Sequence, residues 1–161
     1  MRSWHRSLAA CLASTLFAAC TPPVCRFASE PGVADAGSED GSHVHPESPV
    51  PAQFQDLVNP NGYPASAAVL AAGQAVYRQQ CSRCHGDDGH ARGADVPVYC
   101  PPVDDLHDAN RRHPDPYLYW RIYVGGTDPS FRTDMPGFGT ALSDTDLWNV
   151  ISYVRATFID F

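Results

Sequence analysis

Apolar positions recur at helical spacing in three stretches of the C-terminal hundred residues. In the first, Val69, Gly73, Val76 and Tyr77 share one face of a helix running to about Gln80, with Ser66 placed to cap its start. In the second, Asp115 precedes Pro116, a cap followed by the residue best suited to the first helical position. Leu118 and Ile122 then lie four apart with Trp120 and Val124 nearby, and Gly125 is a natural stop. In the third, Ser143 and Asp146 resemble a capping box with Asp in place of Glu. Leu147, Val150, Ile151 and Val154 follow as its buried stripe. No stretch alternates apolar and polar residues, and no internal repeat is present. The pattern predicts an all-α fold.

The N-terminal third reads differently. Arg2 and Arg6 precede a short apolar run from Leu8 to Phe17, then Ala18, Ala19 and Cys20. That run is too short to cross a bilayer and has the layout of an export signal. Phe17-Ala18-Ala19-Cys20 resembles a bacterial lipobox, with Phe at a position usually aliphatic, which makes Cys20 the expected lipidation site. Ordinary signal cleavage nearby is the competing reading. Acyl chains on Cys20 would anchor the chain durably, at about 0.8 kcal/mol per buried methylene. From Thr21 to about Asn61 the sequence is rich in Pro, Ser, Gly, Ala and acidic residues and poor in large apolar ones. Such a stretch buries too little surface to offset its ordering entropy and predicts a disordered tether. His43 and His45 within it read as solvated. The expected organisation is a signal at 1–19, a tether at 20–64 and one folded domain at 65–161, exported and held at a membrane surface.

Charge narrows the partners. The formal net charge is −7, and all eleven basic residues are Arg. Without the signal, nine Arg face eighteen Asp and Glu. Nucleic acid, which requires a basic surface, is not an expected partner.

The chemistry is concentrated in Cys81-Ser82-Arg83-Cys84-His85, the C-x-x-C-H signature of covalent haem c attachment. Two thiols on one helical turn can each add to a vinyl group of one porphyrin, and the next residue presents an imidazole to the iron. Half a zinc site is the first alternative, but it needs a second pair of ligands at comparable spacing. A thioredoxin-type pair is the second, but no strand–helix alternation surrounds the motif. Met135, in Asp134-Met135-Pro136-Gly137, is the one methionine besides the initiator. With a haem at Cys81 and Cys84, it is the soft thioether available as a second axial ligand to one haem iron. Pro136 keeps that segment extended. Cys25 and Cys100 remain, a distant pair for which a bare thiol at Cys100 is the simpler reading.

With these residues in view, the region from Ser66 onward resembles the class I cytochromes c. Gly73 and Tyr77 match the small and aromatic positions of that family's first helix, and Tyr153 matches the aromatic that meets them from the last. Met135-Pro136 matches its distal ligand loop. Cys100-Pro101-Pro102-Val103 stands where the family has Gly-Pro-x-Leu, so the resemblance implies that the Pro101 carbonyl accepts from the proximal imidazole. It also implies first and last helices crossing beside the haem. The implied function is one-electron transfer between protein donor and acceptor, without bond chemistry. The alternative is a haem enzyme or gas sensor with a displaceable Met135, for which His90, His107 and His113 are candidate distal groups. Trp120 and Trp148 read either as propionate donors or as core. Arg111 and Arg112 read as a solvated pair or a docking patch.

Overall fold

The computed structural model describes residues 49–95, 103–129, 131 and 133–158. Six helices follow in order: α1 Ala52–Gln55, α2 Ala67–Gln80, α3 Ser82–His85, α4 Leu106–Arg112, α5 Asp115–Val124 and α6 Asp144–Thr157, with a 3₁₀ turn at Gly125–Thr127. Among the described residues there is no strand, and the all-α expectation holds. No described helix is long and apolar enough to cross a membrane.

The helix ends follow from their sequences. Ser66 Oγ accepts from Val69 N–H at 3.3 Å and Ser143 Oγ from Asp146 N–H at 3.1 Å, so both serines cap as expected. The Ser143 hydroxyl also donates to the Asp146 carboxylate at 2.7 Å, a variant of the reciprocal box. Gly125 ends α5 at a φ of 67°. The start of α5 departs from expectation, because Pro114 is the capping residue and Asp115 lies inside the helix. The Asp115 carboxylate is taken up by Arg155 of α6 at 2.8 Å and by the Tyr63 hydroxyl at 2.8 Å.

Helices α2 and α6 cross where Gly73 meets Asn149. A Cβ on Gly73 would lie 2.1 Å from the Asn149 carbonyl oxygen, so only glycine lets the two backbones approach this closely. Beside the crossing, Tyr77 rings with Tyr153 and Phe158 at 5.5 and 5.2 Å, all at tilted angles. The expected stripe of α6, Leu147, Val150, Ile151 and Val154, is buried. A second cluster joins α5 to α6 through Leu118, Tyr119, Trp120, Leu147 and Trp148.

The domain begins earlier than the sequence suggested. Residues 49–64, placed in the tether by composition, lie against the helices. Phe54 of α1 sits 6.3 Å from Tyr119 and 5.7 Å from Tyr123, ring centre to ring centre. Asn59 donates to Ser152 Oγ at 3.1 Å, and Asn61 donates to Asn149 Oδ1 at 3.1 Å. A few apolar residues and two asparagines supply this docking, below what a compositional reading detects. The expected signal and Cys20, along with Cys25, His43 and His45, lie outside the described residues, as do Cys100 and Pro101.

Candidate functional site

The haem-attachment motif opens directly from α2. Cys81 ends that helix and begins the single turn of α3, with its carbonyl accepting from His85 N–H at 2.9 Å. The loop after α3 folds back over the end of this turn. Gly93 N–H donates to the Cys84 carbonyl, Asp95 N–H to the Arg83 carbonyl and Ala91 N–H to the His85 carbonyl, at 2.9–3.1 Å. The carbonyls a short helix leaves orphaned are thereby satisfied, and the turn carrying both thiols and His85 is fixed. Tyr77 adds a 2.6 Å bond from its hydroxyl to the Gly86 carbonyl.

On the far side, the segment around Met135 is clamped to the end of α5. Gly126 N–H donates to the Met135 carbonyl at 2.7 Å, and Phe138 N–H to the Ile122 carbonyl at 2.9 Å. A Cβ on Gly126 would meet the Thr133 carbonyl oxygen at 1.8 Å, which explains a glycine there.

Between these two supports lies a partly open apolar cavity lined by Cys81, His85 and Met135 and floored by Leu118, Ile122 and Ile151. An adjoining space shares Cys81, His85 and Met135 and adds Cys84. Four residues separated by up to 54 positions in sequence thus face one apolar space.

His85 Nδ1–H donates to the Asp104 carbonyl at 3.1 Å. The resemblance implies that role for Pro101, which lies outside the described residues; among those described, the acceptor is the Asp104 carbonyl. The bond fixes the tautomer and leaves Nε2 with its lone pair for a ligand. Burial lowers the pKa of His85, outweighing the opposing effect of the Asp104 bond, so the ring is neutral. Burial, reinforced by the Cys84 charge, pushes the Cys81 thiol up to about 12. Cys81 and Cys84 are not joined in a disulfide.

Arg121 was not singled out by sequence reasoning. It projects from α5 between Leu118 and Ile122 and lines both spaces. Its Nη2 donates to Thr133 Oγ1 at 2.7 Å, and its guanidinium lies 4.2 Å over the Phe131 ring. Its Nη1 is buried with no protein acceptor, and Trp120 Nε1 shares that condition. The available signal was a charged residue within an otherwise apolar helix face. The Trp148 ring lies 4.6 Å from that of Tyr119, tilted by 35°, within the core. Of the candidate distal histidines, His113 lines the cavity while stacked on Tyr117 at 3.9 Å, whereas His90 and His107 stack on each other.

Residues 68–154 match the family described as cytochrome c oxidase, cbb3-type, subunit III. The chain belongs to this family. As a cytochrome of that family it is also similar to a thiosulfate dehydrogenase of Stutzerimonas stutzeri (strain A1501). The two are 30% identical over 127 residues, 76% of this chain and 34% of the relative. The chain therefore spans about a third of that curated relative. A solved Kuenenia stuttgartiensis reducing HAO-like protein complex aligns at 22% identity with a TM-score of 0.49, over 59% of this chain and 46% of the other.

Family membership implies a covalent haem c, and the residues present fit one. Two thiols and a neutral imidazole with a free Nε2 face an apolar cavity. Arg121 Nη1 is a buried donor at the edge of that cavity, and leaving such a group unpaired costs about 1–3 kcal/mol. A bound group carrying acceptor oxygens removes that cost. The described domain is thus a c-type cytochrome domain.

Proposed function

We propose that this chain is a monohaem electron carrier, with Cys81 and Cys84 as the thioether attachment points and His85 and Met135 as the axial ligands. The supporting observation is the convergence of these four side chains on one apolar cavity, with the Asp104 carbonyl holding His85 Nδ1 and leaving Nε2 its lone pair. When bound, the haem supplies a one-electron couple at its iron, and thioether ligation favours the ferrous state. The chain's own residues hold and insulate. Leu118, Ile122 and Ile151 exclude water, the Asp104 carbonyl orients His85, and the clamped segment 133–139 keeps Met135 in position. With both axial positions filled, the domain performs no bond chemistry. It passes electrons between a protein donor and a protein acceptor.

The rest of the proposal concerns place. The N-terminal pattern supports export, lipidation at Cys20 and tethering at the outer face of a membrane, with a class I cytochrome c as the functional head. A second reading draws on the likeness to a thiosulfate dehydrogenase: the domain forms part of an oxidising enzyme in which Met135 yields to a ligand. One experiment separates the two. Visible spectra of the purified holoprotein, ferric and ferrous, are recorded with and without carbon monoxide, with haem content per chain. One haem per chain, a low-spin spectrum with the far-red methionine–iron band, and a ferrous form indifferent to carbon monoxide are expected. In Met135→Ala the far-red band disappears and carbon monoxide binds. A wild-type protein that is high-spin or binds carbon monoxide readily would overturn the carrier reading in favour of the enzyme.

A further inference from the structure

Away from the haem cavity, a second set of side chains has the chemistry of a metal site. His90 lies in the loop after α3, and Asp105 and His107 stand at the start of α4. Each offers a ligand atom, and these atoms lie within 4.8 Å of one another. The backbone joins the two segments, because Leu106 N–H donates to the Gly89 carbonyl at 2.8 Å.

Each member of the set is oriented. His107 Nε2–H donates to the Asp88 carbonyl at 3.0 Å, so in the neutral ring Nδ1 carries the lone pair. A backbone carbonyl holding the far nitrogen is how ligating histidines are commonly aimed. Asp105 Oδ1 accepts from His107 N–H at 2.8 Å, which anchors the carboxylate as the cap of α4. Its other oxygen, Oδ2, accepts from His90 Nδ1–H at 2.9 Å. The two imidazoles stack 4.1 Å apart and 6° from parallel.

We propose that His90, Asp105 and His107 form a binding site for a borderline divalent transition-metal cation of the Zn²⁺ type. The cation takes the place of the Nδ1 proton between His90 and Asp105 Oδ2; in the neutral ring that proton moves to Nε2, and from the imidazolium it leaves to solvent. Two imidazole nitrogens and one carboxylate oxygen are the three-ligand set of an open zinc site, with water completing the tetrahedron. Magnesium and calcium, which prefer all-oxygen shells, suit it poorly, and without a thiolate it does not favour Cu(I). Parallel rings do not aim their lone pairs at one point, so one ring must turn on binding. His90 is the ring that turns: its side chain is 36% exposed, and the terminal torsion of histidine is soft. His107 stays where Asp88 holds it. The bound cation ties the loop after α3 to α4, next to the Asp104 carbonyl that accepts from His85.

The test is calorimetric titration of Zn²⁺ into the chelator-stripped, full-length holoprotein, in two buffers of different ionisation enthalpy. One equivalent is expected, with proton release limited to the fraction of His90 that is imidazolium and falling as pH rises. His90→Asn and Asp105→Asn should each weaken binding at least 10–100-fold, the loss that even an outer-shell partner causes. Asparagine at 105 keeps the helix cap, and neither side chain lines the haem cavity. An unchanged visible spectrum and far-ultraviolet circular dichroism therefore certify both variants as folded. Failure to bind one equivalent overturns the proposal. So does binding of unchanged affinity in both variants, which assigns the cation to another group such as the His43–His45 pair.

Discussion

At the scale of single residues, the chain controls protonation through particular partners. Burial lowers the pKa of His85 and the Asp104 carbonyl orients its ring, so that its remaining nitrogen keeps its lone pair. His90 goes the other way. Its hydrogen bond to Asp105 raises its pKa above the ordinary 6.5. Burial alone would raise Asp105, but the bonds from His90 and from His107 N–H outweigh it and bring the carboxyl below its usual value. A histidine raised on folding contributes stability that is complete below the unfolded value and lost as pH rises through the folded one. In the presence of chelator, nuclear magnetic resonance titration of the His90 ring should give a midpoint above 6.5. In Asp105→Asn the midpoint should fall back towards it. A midpoint at or below 6.5 in the wild type would remove the pairing.

At the scale of elements, the decisive event is the crossing of α2 and α6. The capping serines and apolar stripes form the helices, but the angle and depth of the crossing depend on Gly73. Its missing Cβ admits the Asn149 carbonyl, and the Tyr153 Cβ lies 2.7 Å from where that Cβ would be. Both obstacles are fixed to backbone, so neither can swing aside. Gly73→Ala should therefore destabilise the holoprotein by about 1–3 kcal/mol, as overpacking does, despite the better helix propensity of alanine. Denaturant unfolding of wild type and variant measures this, and an equal or higher midpoint for the alanine protein would contradict the crossing geometry. The segment 49–64 shows the same dependence on context. Phe54 has no periodic neighbours to mark it as core, yet it covers Tyr119 and Tyr123.

At the scale of the whole molecule, the domain is built around an apolar space lined by Tyr77, Leu118, Ile122, Val150, Ile151 and Val154. A domain of roughly a hundred residues supports one small core, and a cavity left within it adds its own cost. Covalent haem completes the core. Replacing Cys81 and Cys84 with alanine, and exporting the protein without haem, should leave helical far-ultraviolet dichroism but a weak near-ultraviolet signal. Thermal unfolding should lose its cooperativity. A sharp, wild-type-like transition in the haem-free protein would mean that the helices close the core unaided.

The sequence alone determined the local chemistry: the thiols and imidazole of Cys81, Cys84 and His85, the export-like N-terminus, the helix caps at Ser66 and Ser143 and the buried stripe of α6. These are encoded over a few neighbouring residues, where spacing, capping and side-chain type act directly. Only the tertiary structure decided which distant groups meet. It gave His85 the Asp104 carbonyl as its acceptor, drew residues 49–64 onto the domain, turned Arg121 toward the haem cavity and brought His90 beside His107. None of these follows from local pattern, because each is set by how the helices pack and where the loops between them close.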